Sequence, residues 1–296
     1  MRRAGTVVTE EVIIDMADAV EVGVVLPNTG PEASLPNMVR NAHAARDAGF
    51  GSLWLTDHLL VGEDAAASYG RVVEPLTASA YLAGRMGDVG LGTSILLLPL
   101  RHPVAVAKQA ALVQAGAGRG FRMGVGVGWH EPEFRMLGYG FADRGRRANE
   151  ALRLIRSLWR GERDFHGEYW SFEEAAFGPL PDPPPQIWVG GASPAARRRA
   201  ERFGDAWHPV NPSPADVRSF RRATGLPVRP RLLVFIGEDG PDWSISGSPA
   251  TLAAHLQDLI ESGVDAITVS LENPHTLFAA SMRRFRGEVL ARVATR

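Results

Sequence analysis

Asp57 and His58 are adjacent residues that together could move a proton. They follow the apolar segment Ser52-Leu-Trp-Leu55, which we predict to be a β-strand, so both side chains would lie where a strand ends. A carboxylate beside an imidazole can orient the ring and favour its protonated form, which gives a proton donor near neutral pH. A histidine bonded to a backbone carbonyl is an equally good interpretation, and the sequence alone leaves both open.

The same residues could contribute to a metal site, since Asp57, His58 and His208 all follow predicted strands. No H-x-x-x-H or H-x-H spacing supports such a site, and the chain has no Cys, so we expect no bound metal. Further histidines fall on predicted helices, on their starts or in loops, and we expect them to be solvated or structural: His43, His102, His166, His255 and His275.

Two glycine-rich segments also follow predicted strands. Gly124-Val-Gly-Val-Gly128 does not match the G-x-G-x-x-G fingerprint of dinucleotide binding, because the third glycine falls on Trp129 or Glu131. Its glycines could let the strand backbone lie against a ring system, or they could serve only close packing. Gly190-Gly-Ala-Ser193 opens a predicted helix, whose N–H groups could hold a phosphate, while Ser193 is also a good N-cap.

Strand and helix signals alternate along residues 21–296. Short β-branched runs are followed by longer stretches with apolar residues at helical spacing, most clearly over residues 143–159. About eight strands, most of them trailed by a helix, predict an α/β protein with a single (β/α)8 TIM barrel rather than two Rossmann halves. Because the functional residues of such barrels lie at the carboxyl ends of the strands, Asp57, His58 and both glycine-rich segments would meet at one face.

Two parts of the chain fall outside this alternation. Residues 1–20 lack the apolar stretch of a secretory signal, and we expect them to form a loosely ordered N-terminal extension to the barrel domain at residues 21–296. Residues 163–185 contain five prolines and are too long for an ordinary strand-to-helix connection, so we predict an excursion over the barrel rim.

Composition limits the partners and the chemistry. The 296 residues are 45% hydrophobic, so the chain can bury a core. The net charge of −1 gives no overall positive potential that would attract nucleic acid or an anionic membrane. No apolar run is long enough to cross a bilayer, and the lack of Cys fits a reducing compartment, so we expect a cytoplasmic protein. Lys108, the single lysine, falls within a predicted helix, which leaves anion binding to backbone N–H groups and arginines.

Four motifs occur in order along the chain. They are Leu91-Gly-Thr-Ser-Ile-Leu-Leu-Leu-Pro-Leu-Arg-His-Pro-Val104, then Gly124-Val-Gly-Val-Gly-Trp-His-Glu-Pro-Glu-Phe134 with Leu137-Gly138, then Arg144-Gly-Arg-Arg147 with Glu150, and Ile187-Trp-Val-Gly-Gly191. The series resembles the luciferase-like monooxygenase family over residues 22–290, and within it the branch that uses the deazaflavin coenzyme F420. The resemblance implies a (β/α) barrel and an oxidoreductase that transfers hydride between F420 and a small organic substrate.

The resemblance also implies a role for particular residues. Ser94 and Ile95 match the position of a non-prolyl cis peptide that backs the deazaflavin ring, and Asp57 and His58 match positions that line the ring and the reacting centre. His58, steered by Asp57, is the predicted proton carrier. The remaining positions match segments that hold the cofactor's side chain and phosphate, and they are Gly128, Trp129, Gly190, Gly191 and Ser193.

Some features depart from the family pattern. Val113 replaces the acidic residue that often precedes the fourth strand, and Trp129 stands where F420-dependent sugar-phosphate dehydrogenases carry a glutamate. With a single lysine available to grip a substrate phosphate, sugar-phosphate oxidation is not expected.

Other functions stay open. The family also contains monooxygenases that use reduced FMN, so FMN is the alternative cofactor. A barrel that binds a flavin or deazaflavin without turnover, or a cofactor-free lyase or isomerase, would belong to other classes. We expect a homodimer that acts on a small molecule, with neither a nucleic acid nor a membrane as partner.

Overall fold

The computed structural model describes residues 20–237, 240–271 and 278–293. The predicted N-terminal extension therefore lies outside the described residues, apart from Val20. His275 and the start of the last predicted helix lie outside them as well.

Eleven strands occur among the described residues, and nine of them form one parallel sheet in the order β10-β9-β11-β1-β2-β3-β4-β7-β8. The other two, β5 and β6, pair as an antiparallel hairpin. The strands are β1 (Glu21–Val25), β2 (Ser52–Leu55), β3 (Gly90–Leu97), β4 (Phe121–Gly126), β5 (Phe165–His166), β6 (Ser171–Phe172), β7 (Gln186–Gly190), β8 (Ala206–His208), β9 (Arg231–Ile236), β10 (Ile245–Gly247) and β11 (Ala266–Leu271).

The sheet closes between the segment after β8 and the start of β9. Val210 and Arg231 form a parallel bridge. The Arg231 amide donates to the Pro209 carbonyl at 2.8 Å, and the Asn211 amide donates to the Arg231 carbonyl at 3.0 Å. Eight parallel strands thus form a ring, with β10 added beside the end of β9. The predicted α/β TIM barrel is confirmed.

Helices cover the outside of the sheet, and many begin with a proline in the first turn, where a missing N–H costs nothing. Among the described residues, none of the helices is both long and apolar enough to cross a membrane. The helices are α1 (Leu35–Asp47), α2 (Glu63–Tyr69), α3 (Pro75–Ala83), α4 (Pro103–Gly116), α5 (Glu131–Met136), α6 (Arg144–Trp159), α7 (Pro194–Phe203), α8 (Pro214–Thr224), α9 (Pro249–Glu261) and α10 (Phe278–Arg284).

Large aromatic side chains fill the barrel interior. The rings of Trp54 and Trp188 lie 4.8 Å apart and both residues are fully buried. A Cβ added to Gly23 of β1 or to Gly92 of β3 would come within 2.4 Å of the Trp54 side chain. These two glycines therefore make room for the indole. Trp54 and Trp188 therefore fill the core.

Residues 163–185 contain the β5–β6 hairpin, and Glu150 of α6 holds its turn. The Glu150 carboxylate accepts hydrogen bonds from the backbone N–H groups of Glu168, Tyr169 and Trp170 at 2.7–2.9 Å. Farther along, the Lys108 ammonium of α4 donates to the carbonyl of Gly178. The excursion is thus tied to the helices α4 and α6, and the single lysine serves that attachment.

Candidate active site

The residues predicted to form the site lie on or directly after four strands that are neighbours in the barrel, β2, β3, β4 and β7. Parallel strands end at the same face of a barrel, so the structure brings these segments together at one mouth. We call this face the barrel mouth.

His58 is held by a carboxylate that the sequence does not single out. Its Nδ1 lies 2.7 Å from Oε2 of Glu133, the third residue of α5, and both side chains are buried. The other oxygen of Glu133 accepts hydrogen bonds from the amides of Leu59 at 2.7 Å and Leu60 at 3.3 Å. Glu133 therefore fixes both the His58 ring and the backbone that follows it.

The charge of Glu133 persists despite its burial. Burial alone would raise the pKa of this carboxyl, but the hydrogen bonds from His58 and from the Leu59 amide outweigh it and hold the pKa below its usual value. An ionised Glu133 accepts the Nδ1 proton of His58. Within the described residues, Nε2 of His58 has no hydrogen-bond partner and is thus available to a substrate.

Asp57 does not orient His58, so the predicted pairing is wrong. Its carboxylate forms two hydrogen bonds with the Arg101 guanidinium, at 2.6 and 2.8 Å, and accepts a third from the Leu97 amide at 2.8 Å. The side chain is completely buried. Burial raises the pKa of Asp57, while Arg101 and the Leu97 amide act in the opposite direction. Asp57 thus anchors the chain at the end of β3 and after it. Arg101 also forms an ion pair with Glu74, with 3.0 Å between the guanidinium and the carboxylate.

Two aromatic rings pack against His58. The Tyr69 ring of α2 is 4.3 Å from the imidazole, and the Trp129 ring lies edge-on at 5.8 Å. Tyr69 and Trp129 are also in contact, at 6.3 Å between ring centres. Trp129 is 58% exposed, whereas His58 is buried and Tyr69 is half-buried. This cluster encloses His58 on the protein side, while Trp129 borders the barrel mouth.

The peptide bond between Ser94 and Ile95 is cis, as the resemblance implies. Ser94 Oγ lies 2.9 Å from Nε2 of His208, and Nδ1 of His208 bonds to the carbonyl of Arg229. Because Nδ1 must donate to a carbonyl, Nε2 accepts the hydroxyl proton of Ser94. Burial lowers the pKa of His208 to about 4, so this imidazole is neutral at neutral pH.

Arg231 holds the same segment from the opposite side of the barrel. Its Nη1 donates to the Ser94 carbonyl at 2.5 Å and approaches Thr56 Oγ1 at 3.3 Å, while its Nε donates to Ser270 Oγ at 2.9 Å. Sequence reasoning missed Arg231, because nothing in its neighbourhood along the chain distinguishes it from the other arginines.

Both ring nitrogens of His208 are engaged in hydrogen bonds, so neither has a lone pair for a metal. No cluster of metal ligands occurs among the described residues.

The glycines of β4 and β7 make room for close packing. A Cβ on Gly126 would come within 1.9 Å of Ile95 Cδ1, and one on Gly190 within 2.9 Å of Ile95 Cγ2. At Gly124 the added atom would lie 2.0 Å from the carbonyl oxygen of Thr93. These glycines are thus needed for close packing, and Gly126 and Gly190 seat the Ile95 side chain between the two strands. Contact of the Gly124–Gly128 backbone with a ring system stays a prediction.

The start of α7 keeps the geometry expected of an anion site. Gly191 has φ +101°, and its carbonyl accepts a hydrogen bond from Trp207 Nε1 at 2.8 Å. Ser193 is the N-cap, since its Oγ accepts a hydrogen bond from the Ala196 amide. A cation lies at the end of the neighbouring strand, where Arg144 Nε donates to the carbonyl of Gly128 at 3.3 Å. Phosphate binding by Gly190, Gly191 and Ser193 stays a prediction.

The model of the family described as luciferase-like monooxygenase matches residues 20–224. The chain belongs to this family. It is 29% identical over 260 residues to an uncharacterized protein of Mycobacterium tuberculosis, with 80% of this chain and 85% of that protein covered.

Relatives with named activities use different cofactors. The F420-dependent hydroxymycolic acid dehydrogenase of M. tuberculosis is 33% identical, with 63% of this chain and 51% of that protein covered. The oxygenase component of the flavin-dependent trigonelline monooxygenase of Acinetobacter baylyi is 27% identical, with 56% of this chain and 46% of that protein covered. The chain thus spans about half the length of each of these two relatives.

Solved structures of low sequence identity share the barrel. An F420-dependent secondary alcohol dehydrogenase in complex with an F420-acetone adduct gives a TM-score of 0.76 at 17% identity, with 93% of this chain and 99% of that chain covered. The oxygenating constituent of a Baeyer-Villiger monooxygenase from Pseudomonas putida, in complex with FMN, gives 0.72 at 16% identity, with 94% and 99% covered. These likenesses concern the fold.

Proposed function

We propose that this chain is an F420-dependent oxidoreductase that transfers hydride between the deazaflavin and a small organic substrate, with His58 as the proton carrier. The observation that carries the proposal is the His58–Glu133 pair at the barrel mouth, which leaves Nε2 of the imidazole without a partner in the described chain. F420-dependent dehydrogenases among the relatives support the choice of cofactor.

The residues at the barrel mouth fit a cofactor with a flat ring and an anionic tail. Ile95, seated against Gly126 and Gly190, offers an apolar surface for a ring. The N-terminus of α7 and the guanidinium of Arg144 offer donors and positive charge for a phosphate. When bound there, a deazaflavin supplies two electrons as hydride.

His58 would then complete the reaction by exchanging a proton. Because Nδ1–H is donated to Glu133, Nε2 carries the lone pair and can take a hydroxyl proton from a substrate or return one. Tyr69 and Trp129 pack on the imidazole and keep water from most of the ring. A positioned acid or base of this kind contributes about 10²- to 10⁴-fold to turnover.

Monooxygenation with reduced FMN is the second candidate, and the trigonelline monooxygenase among the relatives is the observation that favours it. The cofactor site described above would accept either ring. Titration of the protein with F420 and with FMN under the same conditions separates the two. Tighter binding of FMN, together with oxygen uptake in the presence of reduced FMN, would replace the first proposal.

His58→Ala tests the role of the imidazole. We expect the variant to bind F420 with unchanged affinity and to lose about 10²- to 10⁴-fold in kcat with any substrate found by an F420-oxidation screen. His166→Ala, which removes an exposed histidine from β5, is the matched control and should keep full turnover. Full turnover by His58→Ala would exclude the proposed role, and F420 binding without turnover on any substrate would favour a non-catalytic binding barrel.

We also propose that the chain forms a homodimer through the outer faces of α3 and α4, which pack against each other. Tyr81 and Leu112 are large apolar side chains exposed on these helices. Leu112→Glu should shift the mass measured by light scattering from a dimer to a monomer. A wild-type monomer at micromolar concentration would refute the proposal.

A further inference from the structure

We infer that the substrate of this site is an uncharged, hydrocarbon-rich molecule that reacts through an alcohol or ketone oxygen. The inference rests on the proposed function and specifies its substrate class. It comes from the apolar side chains that the barrel mouth exposes, and from the charges that the same loops carry.

One apolar wall lies beside His58. Leu59 and Leu60, directly after the histidine, are 42% and 50% exposed, and Trp129, after β4, is 58% exposed. Glu133 holds the three together, because it bonds the amides of Leu59 and Leu60 as well as the imidazole that Trp129 contacts. We call Leu59, Leu60 and Trp129 the first wall. The hydrogen bonds from Glu133 thus fix the backbone that presents Leu59 and Leu60 at the barrel mouth.

A second wall follows β8 and β9. Val210 is 47% exposed and Trp243 is 55% exposed. Asn211 joins them, since its Nδ2 donates to the Trp243 carbonyl at 3.0 Å and its Oδ1 accepts from the Leu233 amide at 2.9 Å. On β9 itself, the half-buried Leu233 and Phe235 alternate with buried neighbours. Val210, Trp243, Leu233 and Phe235 form the second wall.

Leu59 and Leu60 follow β2, Val210 follows β8, and Trp129 follows β4, which lies between these two strands in the ring. Four strand-to-strand steps separate β2 from β8 in either direction around the barrel, which places them on opposite sides of the ring. Large apolar side chains that stay exposed on opposite sides of a ligand-binding mouth are typical of a site for an apolar ligand.

The charges of the segments that carry the two walls act against an anionic substrate, whereas Arg144 and the N-terminus of α7 lie on the side assigned to the cofactor phosphate. Residues 56–70, 126–134, 206–214 and 237–247 contain no Lys or Arg. The same segments carry several acidic residues besides the paired Asp57 and Glu133, among them Glu63, Asp64, Glu131 and Asp242. A substrate phosphate or carboxylate would meet like charges here without a compensating cation. Arg231 points into the barrel and is engaged with Ser94, Thr56 and Ser270.

The reaction balances for an alcohol. The carbinol C–H bond breaks and its electron pair leaves as hydride to the oxidised deazaflavin, the O–H proton passes to Nε2 of His58, and a C=O bond forms. Ketone reduction is the reverse, with the proton returned from His58 to the oxygen. The walls hold the hydrocarbon part, and the histidine meets the oxygen.

A homologous series tests the inference with purified protein and F420. From 2-butanol to 2-decanol we expect kcat/KM to rise about threefold to fourfold per added CH2 group until the chain spans the mouth. An analogue of equal length that ends in a carboxylate should react at least tenfold more slowly. A flat series, or a preference for the carboxylate, would overturn the inference.

Variants of the walls that lie outside the catalytic and cofactor-binding residues make the test specific. Leu60→Ser and Trp243→Ser should each lower kcat/KM for 2-decanol about tenfold and leave 2-butanol within about twofold. Leu180→Ser, which alters an apolar side chain exposed on the excursion at residues 163–185, is the control and should change neither. Equal effects on short and long alcohols would contradict the assignment of the walls.

Calorimetry separates this inference from the proposed function. Binding of 2-decanone to the protein without cofactor should show a negative heat-capacity change, and Trp243→Ser should weaken it. If F420 neither binds nor is reduced while 2-decanone binds in this way, the proposed function fails and the apolar site stands. If F420 turns over and 2-decanone binds no better than 2-butanone, the substrate class is wrong.

Discussion

Glu133 lies 75 residues after His58 in the chain, and its Oε2 is 2.7 Å from the imidazole Nδ1. The contact joins the loop after β2 to the short helix α5. It gives the imidazole one orientation and one site for its first proton, which leaves Nε2 as the atom that can exchange a proton. The orientation of His58 and the site of its first proton therefore depend on a residue that is distant in sequence.

Glu133→Gln should lower kcat by about 10²-fold with little change in F420 affinity. A positioned proton carrier contributes about 10²- to 10⁴-fold to turnover, and the neutral amide no longer places a negative charge beside Nδ1 of His58. Rates measured over pH 5 to 9 should also show a displaced profile. Glu133→Asp should recover part of the loss. Glu131→Gln, at an exposed acid of the same helix, is the control. An unchanged kcat and pH profile in Glu133→Gln would show that the carboxylate only supports the fold.

Asp57→Asn should lower the free energy of unfolding by about 3 kcal/mol, because it leaves the buried charge of Arg101 with a single acidic partner, Glu74. Urea unfolding measures this loss. Asp47→Asn, which breaks an exposed pair with Arg46, should cost less than about 1 kcal/mol. A stable Asp57→Asn protein that has lost turnover would instead restore the catalytic role first predicted for Asp57.

The position of the site residues could be predicted from the sequence, because each lies on or directly after a local strand signal. His58, Ser94, Ile95 and Trp129 all lie at the barrel mouth where those signals place them. The family motifs added the cis bond between Ser94 and Ile95, which no local pattern indicates.

The partners of those residues could not be predicted in the same way. Asp57 bonds to Arg101 across 44 positions of sequence, and Arg231 reaches Ser94 across 137. Such pairings depend on how the barrel closes and on the direction of each side chain within it. Adjacency along the chain suggested that Asp57 orients His58, but consecutive residues after a strand point in different directions.

Gly124→Ala should lower the free energy of unfolding by about 1–3 kcal/mol or more, because the new Cβ would meet the carbonyl oxygen of Thr93 at 2.0 Å and backbone cannot yield as a side chain can. Thermal or urea unfolding gives the measurement. Gly87→Ala is the matched control, since nothing lies within 4 Å of its added Cβ. Equal stability of the two variants would mean that β3 and β4 tolerate a wider separation than the structure has.

His208 should make the protein less stable as the pH falls from about 6.5 to about 4. Burial lowers its pKa to about 4 in the folded chain, whereas an exposed histidine has a pKa near 6.5, so in this window the unfolded chain binds the extra proton. The free energy of unfolding therefore decreases with falling pH, by up to about 3 kcal/mol at the lower end.

His208→Gln removes this titration while its amide can still donate to the Arg229 carbonyl and accept from Ser94. We expect the free energy of unfolding of the variant, measured with urea, to change less between pH 7 and pH 4 than that of the wild type. This holds even if the variant is less stable at pH 7. His166→Gln, at an exposed position on β5, should follow the wild-type curve. If His208→Gln loses as much stability as the wild type over that range, the acid sensitivity arises elsewhere and burial does not lower the pKa of His208.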